Sequence, residues 1–235
     1  MNSPPDVLGA APPAGLQRLE WLLIAVALLA TASSVLGWLP LHFILKPLTM
    51  LVAIVFVACR AIGSRAAGRF DALLIAALLA SLAGDVFLML PGGYFIPGLA
   101  SFLVGHLFYI ALFRQGLPWF ASRSALLGTL GAGAAMYAWV WPGLGDDMVL
   151  KGAVAAYVTV IALMTAQAIG RATLQRDRAA TAVALGACVF MLSDSLIAIN
   201  RFVQPLPLVS LWVLATYYTA QILIVHHARA PTPRP

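Results

Sequence analysis

The stretch "LLASLAGDVFLML", Leu78 to Leu90, sets one carboxylate, Asp85, inside a run apolar enough to belong to a membrane span. A second stretch, "GACVFMLSDSLIAI" from Gly186 to Ile199, repeats the pattern with Asp194. An acidic side chain at mid-bilayer costs roughly 2.5–3.5 kcal/mol on insertion scales. Such groups persist where a partner, water or chemistry compensates for them, and the rest of the chain shows which.

The surroundings of both stretches are those of a membrane protein. Of 235 residues, 62% are hydrophobic and 9% charged, with a mean hydropathy of +0.95. A soluble domain carries roughly 25% charged residues, so that class is excluded. The net charge of +6 does not point to nucleic acid, because the basic residues lie between apolar runs and read as topology signals. Cys59 and Cys188 sit in apolar sequence, form no metal or disulfide pattern, and are expected to be packed core thiols. Twelve of the 14 basic residues are arginine, and alanine is abundant, a bias that suggests a bacterial source.

Apolar runs fall at 19–37, 41–59, 71–90, 97–113, 124–141, 149–169, 180–200 and 206–226. Each is long enough to span, and turn chemistry ("PGGYFIPG", "WPGLGDD", "QPLPL") separates them. The expected fold is therefore all-α: a polytopic transmembrane bundle of eight helices. Residues 1–17, rich in Pro and Ala, are expected to be a disordered tail, 18–228 a single transmembrane domain and 229–235 a short C-terminal tail. The "LLATASS" motif in the first run resembles a signal-peptidase site. Asp6, with only Arg18 as a base before the run, makes a cleaved signal the weaker reading.

Charge placement orients the bundle. Arg18, Arg60, Arg65, Arg69, Arg114, Arg123, Arg171, Arg176, Arg178, Arg229 and Arg234 all fall on one side of an eight-helix thread. The positive-inside rule puts that side, and both termini, in the cytoplasm, so the expected site is a bacterial inner membrane. Helices three and seven each carry a small polar residue near an Asp, then a Pro-bearing loop. Helices four and eight follow with "GHLFY" from Gly105 and "YYTAQ" from Tyr217, which suggests a four-plus-four internal repeat.

Counting about 1.5 Å per residue places the polar residues by depth. Asp85 and Asp194 come out at nearly one level in the outer half, with His106 and Tyr217 close to it and Lys46 nearer the outer surface. Asn200 and Arg201 cap the outer end of helix seven. Ser81 shares a stripe with Asp85 at i and i+4, and Ser193 precedes Asp194. Phe102, His106, Tyr109 and Phe113 form one face of helix four, beside a small face of Gly98, Ser101 and Gly105. A polar cluster at one depth is what a water-accessible pocket requires. The plainer alternative for each group stays open: an Asp paired only to hold helices together, a snorkelling Lys46, a satisfied His106, an interfacial Arg201, packing tyrosines.

These residues also carry a resemblance. "LKPLTM" at Leu45–Met50, "SLAGDVFLML" at Ser81–Leu90, "SFLVGHLFYIALF" at Ser101–Phe113, "FMLSDSLIAINRF" at Phe190–Phe202 and "TYYTAQ" at Thr216–Gln221 together resemble the YhhN-like family, which includes the animal lysoplasmalogenases. The resemblance covers roughly residues 40–227; helices one, five and six add little beyond hydrophobicity. It implies an eight-helix membrane hydrolase that cleaves the vinyl ether bond of a lysoplasmalogen (alkenyl glycerophosphocholine or glycerophosphoethanolamine) to a fatty aldehyde and a glycerophospho-base. The family's two intramembrane aspartates fall on Asp85 and Asp194.

Enol ethers hydrolyse by proton delivery to a vinyl carbon, so one carboxyl acting as acid and a second, ionised one stabilising the cation would suffice, by analogy with glycosidases. The expected catalytic pair is Asp85 and Asp194, with their roles open. Lys46, Ser81, His106, Tyr109, Ser193, Asn200, Arg201 and Tyr217 are expected in support, and the lipid headgroup near Arg201. No metal or cofactor is expected, since the pocket offers too few ligands. The expected partners are a lysophospholipid and the bilayer, with no nucleic acid, and the sequence leaves the oligomeric state open. Two rival readings remain: an ion- or proton-coupled transporter using the Asp pair, and a structural or lipid-binding bundle.

Overall fold

The computed structural model describes residues 13–63 and 68–230; Asp6, Arg65 and Arg234 lie outside the described residues. Eight α-helices run in the order α1 (Ala14–Val35), α2 (Leu39–Gly63), α3 (Arg69–Met89), α4 (Phe95–Arg114), α5 (Arg123–Val140), α6 (Met148–Gln175), α7 (Arg178–Phe202) and α8 (Val209–His227). A single 3₁₀ turn, Trp141–Leu144, joins α5 to α6. The described residues contain no strand. Seven of the helices, all but α5, are long and apolar enough to cross a membrane. The sequence of α5 is diluted by Gly, Ser and Thr. It nevertheless packs antiparallel along α6: the Phe120 N–H just before α5 donates to the Gln167 side-chain oxygen late in α6, and the Tyr137 hydroxyl near the end of α5 donates to the Lys151 carbonyl early in α6.

Helix ends follow local chemistry. The side chains of Ser122, Asp147 and Asp177 accept backbone N–H bonds at the starts of α5, α6 and α7. α6 stops where Arg176 turns left-handed, at φ 52°. α8 begins at Val209, three residues later than the expected 206, because Pro205 and Pro207 precede a left-handed Leu208. α1 begins at Ala14, inside the stretch read as tail.

Packing forms a ring, α1–α2–α3–α4–α6–α7–α8 and back to α1, with α5 packed chiefly against α6. Glycines make the closest approaches. A Cβ on Gly84 would lie 2.5 Å from the Phe102 ring, and one on Gly105 would lie 3.2 Å from the Ala77 carbonyl, so α3 and α4 touch nearly backbone to backbone. The outside of the ring carries Leu28, Leu29, Ile44, Leu79, Leu127 and Leu185, all exposed, as a lipid-facing surface requires. Cys59 and Cys188 lie there too: both are exposed, not packed in the core, because they occupy outward positions of α2 and α7.

Charged contacts collect at one end of the bundle. The Arg60 guanidinium donates to the Val225 carbonyl at 2.7 Å and to Asp71 at 3.0 Å, and Glu20 pairs with His226 at 3.1 Å. Arg171 donates to the Arg229 carbonyl at 2.8 Å. The start of α1 and the end of α8 thus lie at the same face, the basic one.

Candidate active site

The half of the ring away from the basic end encloses both aspartates, each in its own set of partners. Asp85, 2% exposed on α3, meets the Lys46 Nζ of α2 at 3.1 Å and accepts a 2.7 Å bond from the Tyr217 hydroxyl of α8. Pro47 follows Lys46 within α2; it leaves the helix one N–H short just below the lysine. Tyr217 also lies 3.4 Å from the Met50 sulfur.

Asp194, on α7, accepts a 2.5 Å bond from the Tyr157 hydroxyl of α6. The His106 Nε2 of α4 stands 4.0 Å from the same carboxylate, and both nitrogens of that buried ring lack a hydrogen-bond partner. No lysine or arginine pairs with Asp194 among the described residues. Phe190 links the two centres: its ring meets His106 edge-on at 4.9 Å and Tyr217 at 5.5 Å. Phe102 packs edge-on against both Phe190 and Tyr217.

Two spaces of different character adjoin the two centres, one lined by Asp194 and the other by Lys46, the partner of Asp85. Asp194 and Tyr157 line an apolar cavity whose other walls include Leu99, Phe102, Met136 and Met191. Lys46 lines a separate, more polar vestibule at the end away from the basic face, with Ser34, His42, Asn200 and Ser210. Ile197 is a wall of both. Among the described residues no three His, Cys, Asp or Glu side chains converge on a point, so no set of metal ligands is formed there.

The expected supporting residues divide. Lys46, His106 and Tyr217 stand beside a carboxylate. Tyr109 bonds instead to the Gln221 amide oxygen at 2.6 Å, bracing α4 against α8. Ser81 donates within its own helix to the Ala77 carbonyl at 2.9 Å, and Ser193 crosses to the Val213 carbonyl at 3.0 Å. The Asn200 side-chain oxygen accepts from the Leu206 N–H at 2.9 Å and holds the α7–α8 loop. Arg201 lies over Phe95, 4.1 Å from the ring centroid, and Phe95 walls the apolar cavity. Ser81, Tyr109 and Ser193 are therefore structural neighbours with no bond to either carboxylate. Tyr157 and His42 were missed. Depth counting on helix six would have found Tyr157, a hydroxyl nine residues, about 13 Å, below the start of α6.

Comparison with known proteins places the chain in a family. The YhhN family matches residues 41–228. The chain is 37% identical over 168 residues to "Lysoplasmalogenase TMEM86B" of Homo sapiens, covering 71% of this chain and 68% of the relative. It is 31% identical over 217 residues to "Lysoplasmalogenase" of Mycobacterium tuberculosis, covering 90% of this chain and 79% of the relative. No solved structure matches it. A ring of apolar helices closed around two carboxylates, in a sequence matched from α2 to the end of α8, is thus a member of the YhhN family.

Proposed function

We propose that the protein hydrolyses the vinyl ether bond of lysoplasmalogens, releasing a fatty aldehyde and a glycerophospho-base, with Asp194 as the proton donor and Asp85 as the ionised partner. Besides kinship with lysoplasmalogenases, one observation carries the division of labour: Lys46 pairs with Asp85, and among the described residues no lysine or arginine pairs with Asp194. An ammonium at contact distance favours the charged form of a carboxylate, whereas the hydroxyl, the apolar walls and the imidazole 4.0 Å away supply Asp194 with no fixed counter-charge.

The chemistry follows from the position of each group. In R–CH=CH–O–R′ the proton adds to the vinyl carbon farther from oxygen, which is the carbon on the tail side. Asp194 lines the apolar cavity that suits the tail, and the Tyr157 hydroxyl engages one of its oxygens, leaving the other to carry the proton. Protonation makes an oxocarbenium ion centred on the carbon next to oxygen. Asp85 supplies the negative charge near that cation. Water adds to the cationic carbon, its surplus proton returns to a carboxylate, and the hemiacetal opens with breakage of the bond to the glycerol oxygen. That oxygen leaves as the hydroxyl of the glycerophospho-base. The unpartnered His106 Nε2, 4.0 Å from Asp194, can orient the incoming water.

The arginine-rich end fits the cytoplasmic side of a bacterial inner membrane, which would put the site in the outer half of the bilayer. Purified protein is expected to release aldehyde from a lysoplasmalogen and none from the saturated alkyl-ether lipid. Release from neither lipid, with ion-dependent uptake into liposomes, would establish transport instead.

A further inference from the structure

The cleaved bond of such a lipid lies at the boundary between an apolar tail and a phosphate-bearing headgroup. The protein has two spaces of matching character, on opposite sides of Ile197. We propose, on the reading of function just given, that the vestibule walled by Ser34, His42, Lys46, Asn200 and Ser210 is the headgroup site, taking a glycerophosphate anion while the tail fills the apolar cavity.

The lining supplies what a phosphate needs. Lys46 is 13% exposed at its side chain, so its ammonium reaches the vestibule while it holds Asp85. Asn200 spends its oxygen on the Leu206 N–H, which leaves its amide N–H groups as donors. Ser34 and Ser210 add hydroxyls from the outer ends of α1 and α8. His42 lies one turn before Lys46 on α2, and its Nδ1 is 3.0 Å from the Ala30 carbonyl. That contact fixes Nδ1 as the donor and leaves Nε2 as an acceptor facing the vestibule, which suits the ammonium of the headgroup and not its phosphate oxygens. The placement also sets the polarity of the substrate: the phosphate lies on the Asp85 side, the vinyl carbon to be protonated on the Asp194 side. Arg201, by contrast, has its guanidinium over Phe95 and Phe202, against the wall of the tail cavity.

Two measurements test this. The first compares the KM for alkenyl glycerophosphoethanolamine with that for phosphate-free alkenylglycerol in wild type, His42→Gln, Ser210→Ala and Arg201→Gln. The vestibule variants are expected to reduce the preference for the phosphate-bearing lipid about tenfold, as lost hydrogen bonds to a charged group should. Loss of that preference in Arg201→Gln alone would overturn the proposal. The second needs no turnover. Ser210→Cys, in a background of Cys59→Ala and Cys188→Ala, is labelled with a membrane-impermeant maleimide. Non-hydrolysable alkyl-ether glycerophosphoethanolamine is expected to slow labelling at least several-fold, and alkylglycerol is not. Equal protection by both lipids, or by neither, would overturn the headgroup site. Phosphate-dependent protection without aldehyde release from any lipid would keep the site and discard the hydrolase reading.

Discussion

Asp85 and Asp194 belong to the same ring of helices, yet a lysine pairs with one and, among the described residues, only a tyrosine hydroxyl bonds to the other. Each arrangement predicts a distinct result. Removing one member of a buried ion pair costs roughly 3–5 kcal/mol, whereas replacing both members is often neutral. Asp85→Asn is thus expected to lower thermal stability in detergent, and adding Lys46→Met to restore it without restoring aldehyde release. Recovery of both would contradict a chemical role for Asp85. Tyr157→Phe removes the hydroxyl that orients Asp194; kcat is expected to fall about 10–100-fold, by loss of one charge-assisted bond, with little change in KM. An unchanged kcat would make Tyr157 a packing residue. At this scale the sequence revealed the aspartates, because a charge in hydrocarbon is conspicuous. It hid Tyr157, because a tyrosine in an apolar run passes for packing. It also could not distinguish Tyr109, which bonds only to Gln221, from Tyr217, which bonds to Asp85.

The helices themselves were legible, since length and hydropathy dictate them, and differences collect at their ends. Prolines delayed the start of α8, and α6 continued to Gln175, six residues beyond the expected 169, until Arg176 turned left-handed. The contacts between helices were less legible, because apolar sequence does not say which side faces protein. Cys59 and Cys188 illustrate this: apolar neighbours suggested a core position, but in a membrane protein the outer surface is apolar too. The glycines show where backbones meet. A Cβ on Gly143 would fall 1.7 Å from the Phe202 carbonyl oxygen, at the contact holding the α5–α6 turn to the end of α7. Gly143→Ala is expected to destabilise the protein by about 1–3 kcal/mol, as overpacking does, read as a lowered melting temperature. No shift would mean that this turn is not fixed to α7.

Across the whole molecule the two centres exchange partners in a regular way. Asp85 on α3 takes Lys46 from α2 and Tyr217 from α8, while Asp194 on α7 takes Tyr157 from α6 and has His106 of α4 nearby. Each aspartate draws on the helix before its own and on the last helix of the other half. A four-plus-four duplication would leave such a pattern, although α1 closes on α8 and α5 packs mainly on α6. It also explains why neither half would suffice: each would lack one partner of its own carboxylate. The shared face of α1's start and α8's end predicts that reporters fused at either end of the chain report the same compartment, the cytoplasm. Reports from opposite sides would contradict the thread. The central claim is that the two aspartates perform the chemistry. It is tested most directly by aldehyde release from a lysoplasmalogen by wild type, Asp85→Asn and Asp194→Asn, each checked for folding by thermal unfolding. Wild type is expected to release aldehyde and each folded variant to be slower by about 10²–10⁴-fold, the usual range for loss of an acid–base group; release at the wild-type rate by both variants would contradict the account.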